Sequence, residues 1–139
     1  MTSLPAIGIC LANVADPLFL LDTNICVYLL GGNAEPVRRR VEACRPGELA
    51  TSTIALAEVM VGAETLDAVA EAEHLFRLVT VLPFDRPAAQ TYAGLPFRRG
   101  SFDRLIAAHA LSLSLTLVTN NERDFKDVPG LIVENWARA

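Results

Sequence analysis

Leu18-Phe19-Leu20-Leu21-Asp22-Thr23-Asn24 is the stretch whose reading decides the fold of this chain. Four apolar residues run into a carboxylate, a hydroxyl and an amide, and a second apolar run, Ile25 to Leu30, follows at once. A short apolar run bounded by turn residues reads as a buried strand of a parallel sheet. Asp22 then falls where that strand ends and a helix begins. In open α/β sheets ligands bind in the crevice outside the strand carboxyl ends.

Strand and helix signals alternate from there on. Ile25 to Leu30 reads as a short helix ended by Gly31-Gly32, and Asn33 to Cys44 as a second, with Pro36 near its start where a missing N–H costs nothing. Glu48 to Thr51 is a weakly marked second strand, and Ser52 or Thr53 can cap the helix that carries Glu58 among apolar neighbours. Leu66 to Leu78 reads as a helix with Asp67, Glu71 and Glu73 outward, and Val79 to Leu82 as a strand. Asp85-Arg86-Pro87 opens a helix through Tyr92, and Gly94 to Gly100 is a loop carrying Arg98 and Arg99. Ser101 to Leu113 is a helix apolar enough to be buried nearly all round, with Asp103 in its first turn, where the helix dipole favours a carboxylate. Thr116 to Thr119 is a strand, Asn120 to Asp124 a polar turn, and Leu131 to Val133 a last short strand. The alternation predicts a three-layer α/β/α sandwich with a mostly parallel central sheet and right-handed crossovers.

The 139 residues suit one domain. A hydrophobic content of 52% and a mean hydropathy of +0.34 suggest that a partner covers some apolar surface. A net charge of -4 argues against a globally basic nucleic-acid binder, so any such contact needs a local patch. Cys10, Cys26 and Cys44 lack CxxC spacing and read as reduced thiols of a cytoplasmic protein. The most apolar segment, Leu105 to Val118, is shorter than the ~20 residues of a spanning helix and contains His109, so no membrane span is expected. Met1 to Pro17 lacks a basic start and makes a poor signal peptide.

Four acids occupy similar topological places: Asp22, Glu58, Asp103 and Asp124. Singly each has an ordinary reading, as helix cap, exposed helix face, dipole partner or turn residue. Crossover topology could bring all four to one edge of the sheet. There they would repel one another and take up protons unless a cation neutralised them. Oxygen-only ligands select Mg²⁺ or Mn²⁺, and such a site activates water for in-line attack at phosphorus.

As a set the signatures resemble a known family. Leu20-Leu21-Asp22-Thr23-Asn24, Ser52-Thr53-Ile54-Ala55-Leu56-Ala57-Glu58-Val59, Phe102-Asp103-Arg104-Leu105-Ile106-Ala107-Ala108-His109-Ala110 and Leu117-Val118-Thr119-Asn120-Asn121-Glu122-Arg123-Asp124-Phe125 look like the PIN domain. The tail Val128 to Trp136 narrows the likeness to VapC-type toxin ribonucleases of toxin–antitoxin pairs. The resemblance spans Pro17 to Trp136. It implies a PIN domain over residues 17–139, after an extension of residues 1–16, and a Mg²⁺-dependent endoribonuclease (Mn²⁺ as an alternative) that leaves 5′-phosphate and 3′-hydroxyl ends. Asp22 and Asp103 would be the principal metal ligands, here read as ligand rather than cap for Asp22. Glu58 would bind directly or through water, and Asp124 would be the fourth acid. Thr23, Asn24, Thr119 and Asn120 would give polar support. A homodimer, inhibited by a cognate antitoxin whose C-terminal segment lies over the groove, is also implied.

Two features depart from the pattern: the leader Met1 to Asp16, and a stretch between Asp85 and Asp103 shorter than in many members. Arg98, Arg99 and Arg104 flank Asp103 and are the candidates for steering RNA phosphates. Arg38-Arg39-Arg40 spreads around a helix and reads as a solvated face, His74 likewise, and His109 as a packed, hydrogen-bonded core histidine. Haloacid-dehalogenase-like phosphatases need a second aspartate where this chain has Asn24, and a phosphate lysine where the only lysine is Lys126. A receiver domain lacks its acidic pair here. A free-standing RNA-processing nuclease and a catalytically inactive PIN-like binding module stay open as alternatives.

Overall fold

The computed structural model describes residues 14–32, 34–96 and 101–137. Most of the leader, with Cys10, and the loop arginines Arg98 and Arg99 lie outside the described residues. Among the described residues five strands alternate with helices: β1 Phe19–Leu21, β2 Leu49–Ser52, β3 Thr80–Leu82, β4 Thr116–Val118 and β5 Val133–Glu134. The helices are α1 Thr23–Gly31, α2 Glu35–Glu42, α3 Thr53–Gly62, α4 Leu66–Leu78, α5 Arg86–Ala93 and α6 Phe102–Ser112, and a 3₁₀ turn spans Glu122–Phe125.

The sheet order is β3-β2-β1-β4-β5, and all four pairings are parallel. β1 sits at the centre, with Leu20 opposite Ala50 on one side and Leu117 on the other. Successive strand residues point to opposite faces, which divides the core in two. Leu20 packs with Ile106, Ala107, Ala110, Leu117 and Phe125. Leu21 packs on the other face with Ile25, Val37, Val59, Ala72 and Trp136. These two cores and the sheet between them make the expected three layers.

From β1 the chain moves one way to β2 and β3, then returns across β1 to β4 and β5. The reversal places the topological switch between β1 and β4, where a crevice opens at the strand ends. Asp22 follows β1 and Thr119 follows β4, with Leu21 and Val118 in register just before them.

Several boundaries differ from those read in the sequence. β5 lies at Val133–Glu134 rather than Leu131 to Val133; the Leu117 N–H donates to the Ile132 carbonyl (2.9 Å) and the Thr119 N–H to that of Glu134 (3.0 Å). The polar turn after β4 closes into the 3₁₀ turn that holds Asp124. α6 is less enclosed than its composition suggests, since Phe102 is 57% exposed at its start. The end of the leader is docked: the Ala15 N–H donates to the Pro46 carbonyl (2.9 Å). Gly47 (φ +94°) lets that segment approach, since a Cβ there would lie 2.2 Å from the Ala15 carbonyl oxygen. Arg38 and Arg39 pair with Glu35 on the exposed face of α2. Arg40 differs, pairing with Glu134 (3.0 Å) and lying over the Trp136 ring.

Candidate active site

Asp22 is 3% exposed and caps α1, its Oδ1 accepting the Ile25 N–H at 2.9 Å. The sequence reading set ligand against cap, but a carboxylate has two oxygens and the cap engages one. Burial pushes the Asp22 carboxyl up to about 6; hydrogen bonds from the Thr119 hydroxyl and the Ile25 N–H oppose the rise, and the charges of Asp103 and Glu58 add to it. Asp103, in the first turn of α6, is also pushed up, first by burial and then by Glu58 and Asp124. Each acid thus feels at least one other, so the four sequence-predicted acids face a common region at the switch point.

The supporting residues divide. Thr23 donates its hydroxyl to Glu58 Oε1, linking the start of α1 to α3. Thr119 holds Asp22 and also accepts the Asn121 N–H (3.1 Å). Asn120 donates its amide to the Tyr28 hydroxyl (2.6 Å) and accepts at its carbonyl from Asn135 (3.4 Å), so it ties the end of β4 to α1. Asn24 is exposed beside Asp22. Asn121 was not singled out in the sequence, yet its amide donates to Asp124 Oδ2; an amide three residues before an acid in a polar turn was the available signal.

Arg104 takes a place other than the expected one. It is 4% exposed, and its guanidinium grips Asp127 through both terminal nitrogens (2.8 and 3.4 Å). It also donates to the carbonyls of Asp124 (3.2 Å) and Pro96 (3.0 Å). A guanidinium so engaged holds the Asp124 turn to α6 and is not presented to RNA. His109 is the packed core histidine expected, and His74 is exposed.

A cleft of about 460 Å³ lies over this region, lined by Ser101, Asp103, Arg104, Arg123, Asp124, Lys126 and Asp127. Glu58 itself lines a separate, mostly apolar hollow with Ile54, Ala57, Val61 and Phe102. A larger cavity, about 600 Å³, lies between α1, α2 and α4; its lining is mostly aliphatic, with Arg38, Glu42, Glu71 and His74, and includes none of the four acids. Among the described residues, no three acidic, imidazole or thiol groups close into a ligand cage. Asp103 and Asp124 line the first, open cleft, and Asp22 and Glu58 lie near enough to act on Asp103. That suits Mg²⁺, which keeps several waters and needs only one or two carboxylates directly. The donor set fits a hard divalent cation: every candidate donor is a carboxylate, and burial raises Asp22 and Asp103, with neighbouring carboxylates adding to the rise.

Residues 19–131 match the family model of the PIN domain, and the chain belongs to that family, whose ribonucleases generally depend on divalent metal ions. Its relatives are VapC proteins. It is 36% identical over 130 residues to the tRNA(fMet)-specific endonuclease VapC of Shigella flexneri, covering 86% of this chain and 98% of that one. Among solved structures, DNA-bound VapBC from Salmonella typhimurium superposes with a TM-score of 0.77 at 32% identity, over 86% of this chain and 98% of that one. VapBC2 from Rickettsia felis, bound to a DNA fragment from its promoter, superposes with a TM-score of 0.75 at 28% identity and the same coverage. Among the described residues no helix is long and apolar enough to cross a membrane.

Proposed function

We propose that this protein is a VapC-type toxin, a divalent-cation-dependent endoribonuclease held in check by a cognate antitoxin. The observation that carries the reading is a buried carboxylate, Asp22, at the switch point of a parallel sheet, raised by burial and coupled to Asp103 and Glu58. Asp22, Asp103, Glu58 and Asp124 would hold the cation, Mg²⁺ or Mn²⁺. Bound there, it supplies charge neutralisation and activation of water for phosphodiester hydrolysis. The chain's own groups keep the acids in place. The Ile25 N–H and Thr119 hydroxyl orient Asp22, Thr23 holds Glu58, and Asn121 holds Asp124. The N-terminal dipole of α6 favours the ionised form of Asp103. Arg123 and Lys126, exposed at the cleft rim, supply local positive charge for the RNA backbone on an otherwise acidic protein.

Purified protein with Mg²⁺ is expected to cut RNA and leave 5′-phosphate ends; tRNA(fMet), named for the Shigella relative, is the first substrate to try. Products ending in 2′,3′-cyclic phosphates would place the attack on the ribose 2′-hydroxyl and overturn the mechanism. Asp103→Asn should retain the fold, or gain slightly in stability, because it relieves a carboxyl raised by burial and by Glu58 and Asp124. It should lose cleavage. Loss of cooperative unfolding in that variant would make Asp103 structural.

The apolar hollow beside Glu58 suits coverage by an antitoxin segment. Exposed Val27 (48%), Val61 (82%) and Leu66 (89%) on α1, α3 and α4 support a homodimer. Light scattering should show a dimer; a monomer at all concentrations would exclude one. The setting proposed is the cytoplasm, where thiols stay reduced. Cys26, buried and pushed up to about 12, is unreactive in any case.

A further inference from the structure

We propose that His109 is a positioning residue for the acid cluster, bracing α6 against the start of α3 and so setting the placement of Asp103 relative to Glu58. The inference rests on the proposed function but concerns a residue outside the cluster. His109 is 1% exposed, and its Nδ1 lies 2.9 Å from Ser52 Oγ. That hydroxyl caps α3 by accepting the Ile54 N–H (3.1 Å). A carbonyl only accepts, so the ring nitrogen that meets Pro83 carries the imidazole proton, and Nδ1 is left to accept from the Ser52 hydroxyl. The ring donates to the Pro83 carbonyl, and burial holds it neutral against the pull of that carbonyl and of Asp85. Phe84 meets the ring edge-on at 5.5 Å, and the Phe84 N–H donates to Thr53 Oγ1 (3.1 Å). One imidazole thus joins α6, the end of β2, the start of α3 and the β3–α5 connection.

The two helices carry matched spacings. Six positions separate Asp103 from His109 on α6, and six separate Ser52 from Glu58 along α3, about 9 Å in each case. His109 meets Ser52 at one end, while Asp103 and Glu58 act on each other at the opposite end. The helices therefore run in opposed directions, fixed at the His109 end and working at the acid end. A rotation of about 10° about the brace displaces an acid by roughly 1.5 Å over that span. Misplacement on the scale of 1 Å is enough to disable a catalytic arrangement.

Three substitutions separate bracing from bulk. His109→Phe keeps a ring against Phe84 and loses both hydrogen bonds. His109→Asn sets an amide oxygen where Nδ1 accepts from Ser52. His109→Gln reaches the Pro83 carbonyl but not Ser52. Calorimetric Mn²⁺ binding to the RNA-free protein is the primary readout, with circular dichroism to establish folding and kcat and KM for cleavage beside it. Phe and Gln should weaken Mn²⁺ binding roughly 10-fold to 100-fold and lower kcat more than they raise KM. Asn should stay within about threefold of the unsubstituted protein, less than the effect of a lost supporting contact. Equal binding by all three folded variants and the unsubstituted protein overturns the proposal, and so does equal loss in Asn and Gln. Failure of the unsubstituted protein to bind Mn²⁺ would overturn the metal-site reading together with this one.

Discussion

Asp22→Asn should abolish RNA cleavage and, in the metal-free protein at neutral pH, should raise stability. The two effects share one cause. Asp22 is held at the switch point in a site that is 3% exposed, where its carboxyl is pushed from 3.8 to about 6. At low pH both folded and unfolded forms are protonated, and burial of the neutral acid carries no ionic penalty. As pH rises past 3.8 the unfolded chain releases its proton first. The stability due to the retained proton is lost between there and about 6, and above that the folded protein holds a buried, ionised carboxylate. About two pKa units correspond to roughly 3 kcal/mol. Asparagine keeps an oxygen for the Ile25 N–H and is neutral throughout. Its advantage in urea unfolding with EDTA should grow from pH 4 to 6 and level off above. Mg²⁺ should then stabilise the unsubstituted protein in proportion to its occupancy and leave the variant unmoved. Activity should fall by more than about 100-fold, beyond what a supporting residue costs. A pH-independent difference between the two proteins, or cleavage retained by the variant, would remove Asp22 from its proposed role.

The parts of this site that were legible in the sequence are those fixed by local pattern. The apolar run ending in Asp22-Thr23-Asn24 contains both the strand and the turn, and the Leu66–Leu78 helix shows its extent in the outward set of Asp67, Glu71 and Glu73. What escaped depended on partners far along the chain. β5 is two residues long and exists through its pairing with β4, so its own composition marks its position poorly. Thr51, buried with its hydroxyl donating to the Leu21 carbonyl (2.8 Å), gives no local sign of that bond. The cap and ligand readings of Asp22 compete in the sequence because a sequence does not show which oxygen is used. Arg104 beside Asp103 reads in the sequence as a residue for steering RNA phosphates, and only the fold reveals that Asp127, 23 positions later, meets it.

Arg104 should therefore behave as a structural clamp when removed. Arg104→Met keeps much of the apolar stem and deletes the guanidinium. It removes the hydrogen bonds that Arg104 donates to the Asp124 and Pro96 carbonyls and to Asp127. Breaking a buried ion pair from one side costs about 3–5 kcal/mol. Because the Asp127 side chain is 36% exposed, it can turn to water, and the expected loss sits nearer about 2–3 kcal/mol. Arg104→Lys should recover little of it, since an ammonium cannot reproduce the two-pronged grip. Pairing Arg104→Met with Asp127→Asn removes the charge that Arg104 balanced and should restore part of the stability. Cleavage should stay low, because the Asp124 turn has lost its anchor to α6. An RNA-steering arginine would behave in the opposite way: unfolding would be unchanged, and the salt dependence of RNA binding would fall by about one unit of slope. The double variant thus separates holding the site together from holding the substrate.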